Sequence, residues 1–251
     1  MTAPIGLQLY SIRDEMNRDF EGSIRKVADI GYVGVEPAGF PGTSPEKAAS
    51  LFQSLGLKVP CAHVPAPVGN AKQQTLDTMS ALGSRRIVSG LGPNGFKTVD
   101  RIKKSCDVFN EACQVAAENG MSFAVHNHWW EFLKVDGKYA YRIMLDRLMP
   151  EVLFELDTYW VKVAGVDPAT VLAELGDRAP LLHIKDGPGN KEAAMQAIGD
   201  GSMDVPGIVE AGGTNTEWLI VELDRCDTDM MAALEKSYAY LTSRGLAEGN
   251  D

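Results

Sequence analysis

The sequence predicts an α/β fold, a single (β/α)8 TIM barrel of eight parallel strands. Three observations carry this prediction. Eight short apolar runs alternate with amphipathic stretches along the whole of the 251 residues. The alternation implies parallel strands joined by helical crossovers, and a count of eight favours closure into a barrel over an open sheet. No GxGxxG follows the first run and no Walker A lysine motif is present, so neither nucleotide signature of the open sheet is there to compete.

In order, Ile5–Tyr10 reads as the first strand and Phe20–Ile30 as a helix closed by Gly31. Tyr32–Glu36 is the second strand; Ser44 then caps a helix that has Pro45 at its first position and ends near Gly56. Leu57–His63 is the third strand, 71–82 a helix, and Arg86–Ser89 the fourth strand. A long helix over Val99–Asn119 stops at Gly120. Met121–His126, Val152–Leu156, Pro180–Ile184 and Trp218–Val221 complete the strands. Asp167-Pro168 opens the helix between strands six and seven, and the last helix runs over Asp227–Arg244 before Gly245. No linker or low-complexity segment breaks the pattern, so residues 1–251 are expected to form one domain, a common size for this barrel.

Composition narrows the function. Lys plus Arg total 24 against 34 for Asp plus Glu, a formal net charge of −10, and the longest basic stripe is Arg101-Ile-Lys-Lys104. Such a surface repels phosphate backbones, so no nucleic-acid partner is expected. The start of the chain lacks a signal-peptide pattern and no run reaches membrane-spanning length, which gives a cytoplasmic expectation with no membrane partner. The four cysteines form no CxxC pair and read as small core residues in a reducing compartment.

The active site of such a barrel lies at the C-terminal ends of its strands. All four histidines fall there: His63 after strand three, His126 and His128 after five, His183 after seven. Glu36, Asp157 and Glu222 do the same at strands two, six and eight. Any one of these is as well explained by a hydrogen bond near the core; all of them together favour a shared site. Imidazole and carboxylate oxygen suit one divalent ion of manganese, cobalt, zinc, iron or magnesium, with Asp157, His183 and Glu222 as the firmest ligands. Around such an ion the natural chemistry is proton removal next to a carbonyl, with a carboxylate or imidazole as the shuttle.

The segment His126-Asn-His-Trp-Trp-Glu131 packs two imidazoles, an amide, two indoles and a carboxylate into six residues. Its tryptophans are placed to stack on a sugar or to cap the barrel mouth. In His183-Ile-Lys-Asp186, Lys185 is placed to steady developing charge or to pair with Asp186. Glu36 is placed to touch substrate, cap the next helix or pair with an arginine.

Read together, Gly6-Leu-Gln-Leu-Tyr-Ser-Ile-Arg13, Gly34-Val-Glu36, His126-Asn-His-Trp-Trp-Glu-Phe132, Glu155-Leu-Asp-Thr-Tyr-Trp160, Gly165-Val-Asp-Pro168, Leu182-His-Ile-Lys-Asp-Gly187 and Val221-Glu222 resemble the xylose isomerase-like sugar phosphate isomerase/epimerase family over nearly the whole chain. The resemblance implies a metal held by residues of strands five to eight, commonly glutamate, aspartate, histidine and glutamate. Asp157, His183 and Glu222 match the last three positions, whereas the strand-five position holds His126, with Glu131 and His128 nearby as substitutes.

The resulting expectation is a metal-dependent isomerase or epimerase of a small sugar or polyol, acting through an enediolate. Its metal ligands are His126, Asp157, His183 and Glu222; its acid/base and charge-stabilising groups are Glu222, Glu131, His63 and Lys185; its substrate contacts are His128, Trp129, Trp160 and Glu36. The histidine-rich strand five is also similar to that of inosose dehydratase and of barrels that eliminate from 3-keto-glycosides, so a lyase is the alternative. An endonuclease IV-like nuclease would need three metals and a basic face. A non-catalytic sugar-binding barrel would lack the metal. A homo-oligomer is compatible with the sequence.

Overall fold

Strand register sets the site before any loop contributes. The structure, a computed structural model, describes residues 2–250. Eight parallel strands, numbered here by barrel position, run in the spatial order 2-1-8-7-6-5-4-3. They are Ile5–Gln8, Gly34–Glu36, Ala62–His63, Arg86–Ser89, Ser122–His126, Leu153–Asp157, Leu181–Ile184 and Trp218–Val221. Strands two and three close the ring: Val35 N donates to Lys58 O at 2.8 Å, Lys58 N to Val33 O at 3.0 Å and His63 N to Pro37 O at 2.9 Å. The third strand is therefore shorter than its apolar run predicted, because Leu57–Cys61 pairs through single bonds and not a continuous ladder.

Side chains of a strand alternate between its two faces. The outward faces meet the helices in one large apolar cluster, while Cys61, Val88, Ala124, Leu181 and Ile220 form a separate small cluster that plugs the barrel interior. Two residues further along four of these five stretches, the inward position turns polar: His63 follows Cys61, His126 follows Ala124, His183 follows Leu181 and Glu222 follows Ile220. Below the plug, the Trp218 indole lies so close to Gly34 that a Cβ there would stand 2.8 Å from the ring.

The helices form as their caps require. Ser44 accepts from Lys47 N with Pro45 at the first position, and Asp167 accepts from Ala169 N and Thr170 N ahead of Pro168. Gly31, Gly56, Gly120 and Gly245 all have positive φ, as the predicted helix stops need. The pattern missed the crossover helices Ala140–Leu145 and Val205–Gly212, the short helices Arg13–Arg18 and Thr158–Val163, and a hairpin turning at Asp136-Gly137. No helix among the described residues is long and apolar enough to cross a membrane.

Candidate metal centre

Backbone pairing brings the polar ring together. His126 is the Cα partner of Glu155 across strands five and six, and Asp157 is the partner of His183 across six and seven. One ligand atom from each of His126, Asp157, His183 and Glu222 lies within 4.8 Å of every other. All four residues are buried. These are the four residues that the sequence placed around a metal.

The donor atoms are aimed at one another. Asp157 Oδ1 accepts from Trp160 N at 2.9 Å, capping helix Thr158–Val163, which turns Oδ2 inward. His183 Nε2 faces Glu36 Oε2 at 2.7 Å and Glu155 Oε2 at 3.1 Å, which turns Nδ1 toward Glu222 Oε2, 2.8 Å away. Asp157 Oδ2, His183 Nδ1 and Glu222 Oε2 are buried without a directed hydrogen bond. Their near neighbours are one another and the Lys185 ammonium, and three buried donor atoms converging from different strands fit a further cation that would satisfy them together. His126 donates or accepts through Nδ1 with Glu155 Oε2 at 3.0 Å, leaving its other ring nitrogen for the same point.

Glu155 is the site residue that the sequence reading did not single out. One carboxylate oxygen serves both imidazoles, the arrangement by which outer carboxylates orient metal-binding histidines. The signal was there: Glu155 and Asp157 are two apart on one strand and so share its inward face. Asp224 was missed as well. It joins Asp157 and Glu222 around the Lys185 ammonium, at 2.7, 2.8 and 2.7 Å respectively. Lys185 therefore pairs with these three and not with Asp186, whose carboxylate turns into the following loop.

The electrostatics follow from burial and crowding. Burial, with the neighbouring Glu155 charge, pushes Glu36 up to about 8. Burial raises Asp157 to about 6 even against the pull of Lys185 and His183. Burial would lower His183, but Glu155, Glu36 and Glu222 together hold it well above the usual imidazole range. Burial would raise Glu222, but Lys185 and His183 hold it well below the usual carboxylate range. Burial brings His126 down to about 4 and also lowers His63, so both imidazoles are neutral near pH 7.

Above the ring opens a cavity of about 450 Å³, a size suited to a small ligand. His63, His126, His128 and Glu222 line it, with Gln8, Ser89 and Asp224, and Tyr10 is 42% exposed. The remaining predicted contacts stand behind this wall. Glu36 backs His183, and Trp160 lies against Lys185, whose ammonium is 5.4 Å from the ring. Trp129 packs on Trp160 at 4.9 Å, and Trp130 stacks on His128 at 4.0 Å and 13°. Glu131 is 1% exposed and accepts the His128 N–H at 2.9 Å, so it holds the wall from behind.

Fold and site together define a parallel barrel with a buried imidazole and carboxylate centre, able to bind a metal, beneath a small-molecule cavity at its strand ends. The chain belongs to the xylose isomerase-like TIM barrel family, whose model matches residues 24–243. A sugar phosphate isomerase/epimerase from Parabacteroides distasonis is 25% identical and superposes with a TM-score of 0.84 over 99% of this chain and 96% of that one. The IolI protein with a bound zinc atom is 17% identical, with a TM-score of 0.74 over 98% of each chain. A probable 3-DHS dehydratase, AsbF of Bacillus anthracis, is 12% identical, with a TM-score of 0.74 over 96% of this chain and 99% of that one. No curated protein matches the chain.

Proposed function

We propose that this protein is a divalent-metal-dependent isomerase or epimerase of a small keto-sugar or keto-polyol, moving a proton on the carbon next to the carbonyl. The observation that carries the reading is the convergence of three buried donor atoms from three strands, Asp157 Oδ2, His183 Nδ1 and Glu222 Oε2, beneath a cavity of ligand size. His126 would complete the set. When bound there, a divalent ion supplies Lewis acidity to a substrate carbonyl.

The chain's own groups supply the rest. His63 is neutral, half-buried and on the cavity wall, the state in which an imidazole takes a proton. Its Nδ1 lies 4.0 Å from Glu36 Oε1, a buried carboxyl pushed up to about 8 that keeps its own proton near pH 7 and so leaves the ring neutral. Glu222, from strand eight, also reaches the wall, and two groups from different strands are what an epimerisation needs. Lys185 holds positive charge beneath the site, committed to Asp157, Glu222 and Asp224. The similarity to an isomerase/epimerase at 25% identity supports the same chemistry. Elimination shares the first proton transfer and is told apart by its product.

Two measurements test this. Protein purified without chelator should carry about one transition-metal ion per chain. In D2O, NMR of a ketose and inosose panel should show deuterium entering one carbon next to the carbonyl, with an isomer and no dehydrated product accumulating. Absence of metal, or unchanged exchange in Asp157→Asn and His183→Ala, rejects the reading; loss of water from the substrate reassigns it to a lyase.

A further inference from the structure

A terminal phosphate brings nearly two negative charges, and barrels receive it with basic side chains or with main-chain N–H groups gathered after strands seven and eight. Neither route is open here. Among the described residues no lysine or arginine lines the cavity, whereas Glu222 and Asp224 both do. Lys185 below is 1% exposed and already shared by three carboxylates. Arg13, stacked 4.2 Å over Tyr10, is not part of the cavity lining and directs two of its N–H groups to Tyr10 O at 2.8 Å and Asp224 O at 2.9 Å.

The main-chain route is closed by an anion of the protein's own. After strand seven the loop curls so that Gly187 N and Met203 N donate to Asp186 Oδ1 at 2.8 and 3.0 Å. Gly199 N and Gly201 N donate to Asp186 Oδ2 at 2.9 and 3.2 Å. Successive N–H groups turned inward in this way make an anion-binding concavity. Asp186 fills it and is 1% exposed. The fit is close, since a Cβ on Gly201 would stand 2.1 Å from Asp186 Oδ1.

We propose that the site takes an uncharged, unphosphorylated keto-sugar or keto-polyol, phosphate esters being turned away by the acidic wall and by the cradle that Asp186 occupies. The wall groups suit hydroxyls: Gln8, Ser89, His63 and His128 offer both donors and acceptors around the cavity. This substrate class rests on the proposed function, and the two fail separately in the following test.

The manganese-loaded full-length protein is given ketoses paired with their own terminal phosphate esters, D-fructose with fructose 6-phosphate and D-tagatose with tagatose 6-phosphate. Tryptophan fluorescence reads binding and NMR in D2O reads exchange. The expected result is binding of the free sugar at least about tenfold tighter within each pair, the gap narrowing at high salt as screening grows. An ester that binds as tightly as its sugar overturns the substrate class, and if that ester also exchanges deuterium the proton-transfer reading survives alone. Preferential binding of free sugars without exchange on any of them upholds the substrate class and sinks the proton-transfer reading. No binding by any sugar or ester overturns the class.

Discussion

Replacing Glu155 asks whether one buried carboxylate sets the metal affinity of two histidines. Both imidazole contacts fall on Oε2, at 3.0 Å from His126 and 3.1 Å from His183, while Oε1 faces the Cys61 thiol at 3.7 Å. In Glu155→Gln the amide carbonyl can therefore occupy the Oε2 position and keep both contacts, losing only the negative charge that makes the rings better ligands. In Glu155→Leu both contacts vanish, leaving His126 Nδ1 buried without an acceptor and His183 Nε2 with Glu36 alone. Outer-shell partners of metal-binding histidines contribute about 10- to 100-fold in affinity. The expected loss is about tenfold for Gln and about 100-fold for Leu, or about 1.4 and 2.7 kcal/mol. Competition with a fluorescent chelator for manganese or zinc measures it, with circular dichroism as the check on folding. Folded Glu155→Leu protein that holds metal as tightly as the wild type would refute the reasoning and make Glu155 a packing residue.

Asp157→Ala removes a helix cap together with a ligand, so it should abolish metal uptake and lower stability by about 1 kcal/mol in urea unfolding, whereas Asp157→Asn keeps an oxygen for Trp160 N and should lose mainly the metal. Burial raises Glu131 from 4.5 to about 8, so its contribution to stability is complete below about 4.5 and is lost as pH rises through about 8. The metal-free protein should therefore melt at lower temperature at pH 9 than at pH 6, and Glu131→Gln should flatten that dependence in thermal scans. Because His183 must shed a proton to offer Nδ1 as a ligand, metal binding should release protons near pH 7, and the apparent affinity should strengthen about tenfold per pH unit. Calorimetry in buffers of different ionisation enthalpy reads this directly, and identical heats in all of them would contradict it.

The barrel was legible because its signals are local and repeated. Apolar runs, caps such as Ser44 and Asp167, and glycines with positive φ such as Gly31 and Gly120 each specify their own element without help from distant chain. The convergence of His126, Asp157, His183 and Glu222 was legible for a related reason: in a closed parallel barrel, a polar residue at a strand end has one place to go. What the sequence did not show depends on which rotamer a crowded interior selects. Glu155 stands in the middle of its strand, where a carboxylate looks like an interruption of the core until His126 and His183 are seen to converge on it. Lys185 pairs with residues 28, 37 and 39 positions away in the chain and not with adjacent Asp186, because the strand's alternation sends neighbours to opposite faces. The short helix Thr158–Val163 was hidden because its cap, Asp157, doubles as a site residue.

Charge balance separates a metal centre from a self-contained ion-pair network, the alternative in which Lys185 does the work of the cation. Glu36, Glu155, Asp157 and Glu222 are buried around His183 and Lys185, and Asp224 adds a fifth carboxylate at the edge. Lys185 and a protonated His183 supply two positive charges, so full ionisation would leave the cluster with an excess of negative charge in a medium that penalises it. Glu36, raised to about 8 first by burial and then by Glu155, keeps its proton near pH 7, whereas Asp157, raised by burial only to about 6, is largely ionised there. The negative charge left over lies around Asp157, His183 and Glu222, where a divalent ion would bring the charge that Lys185 and His183 together do not supply.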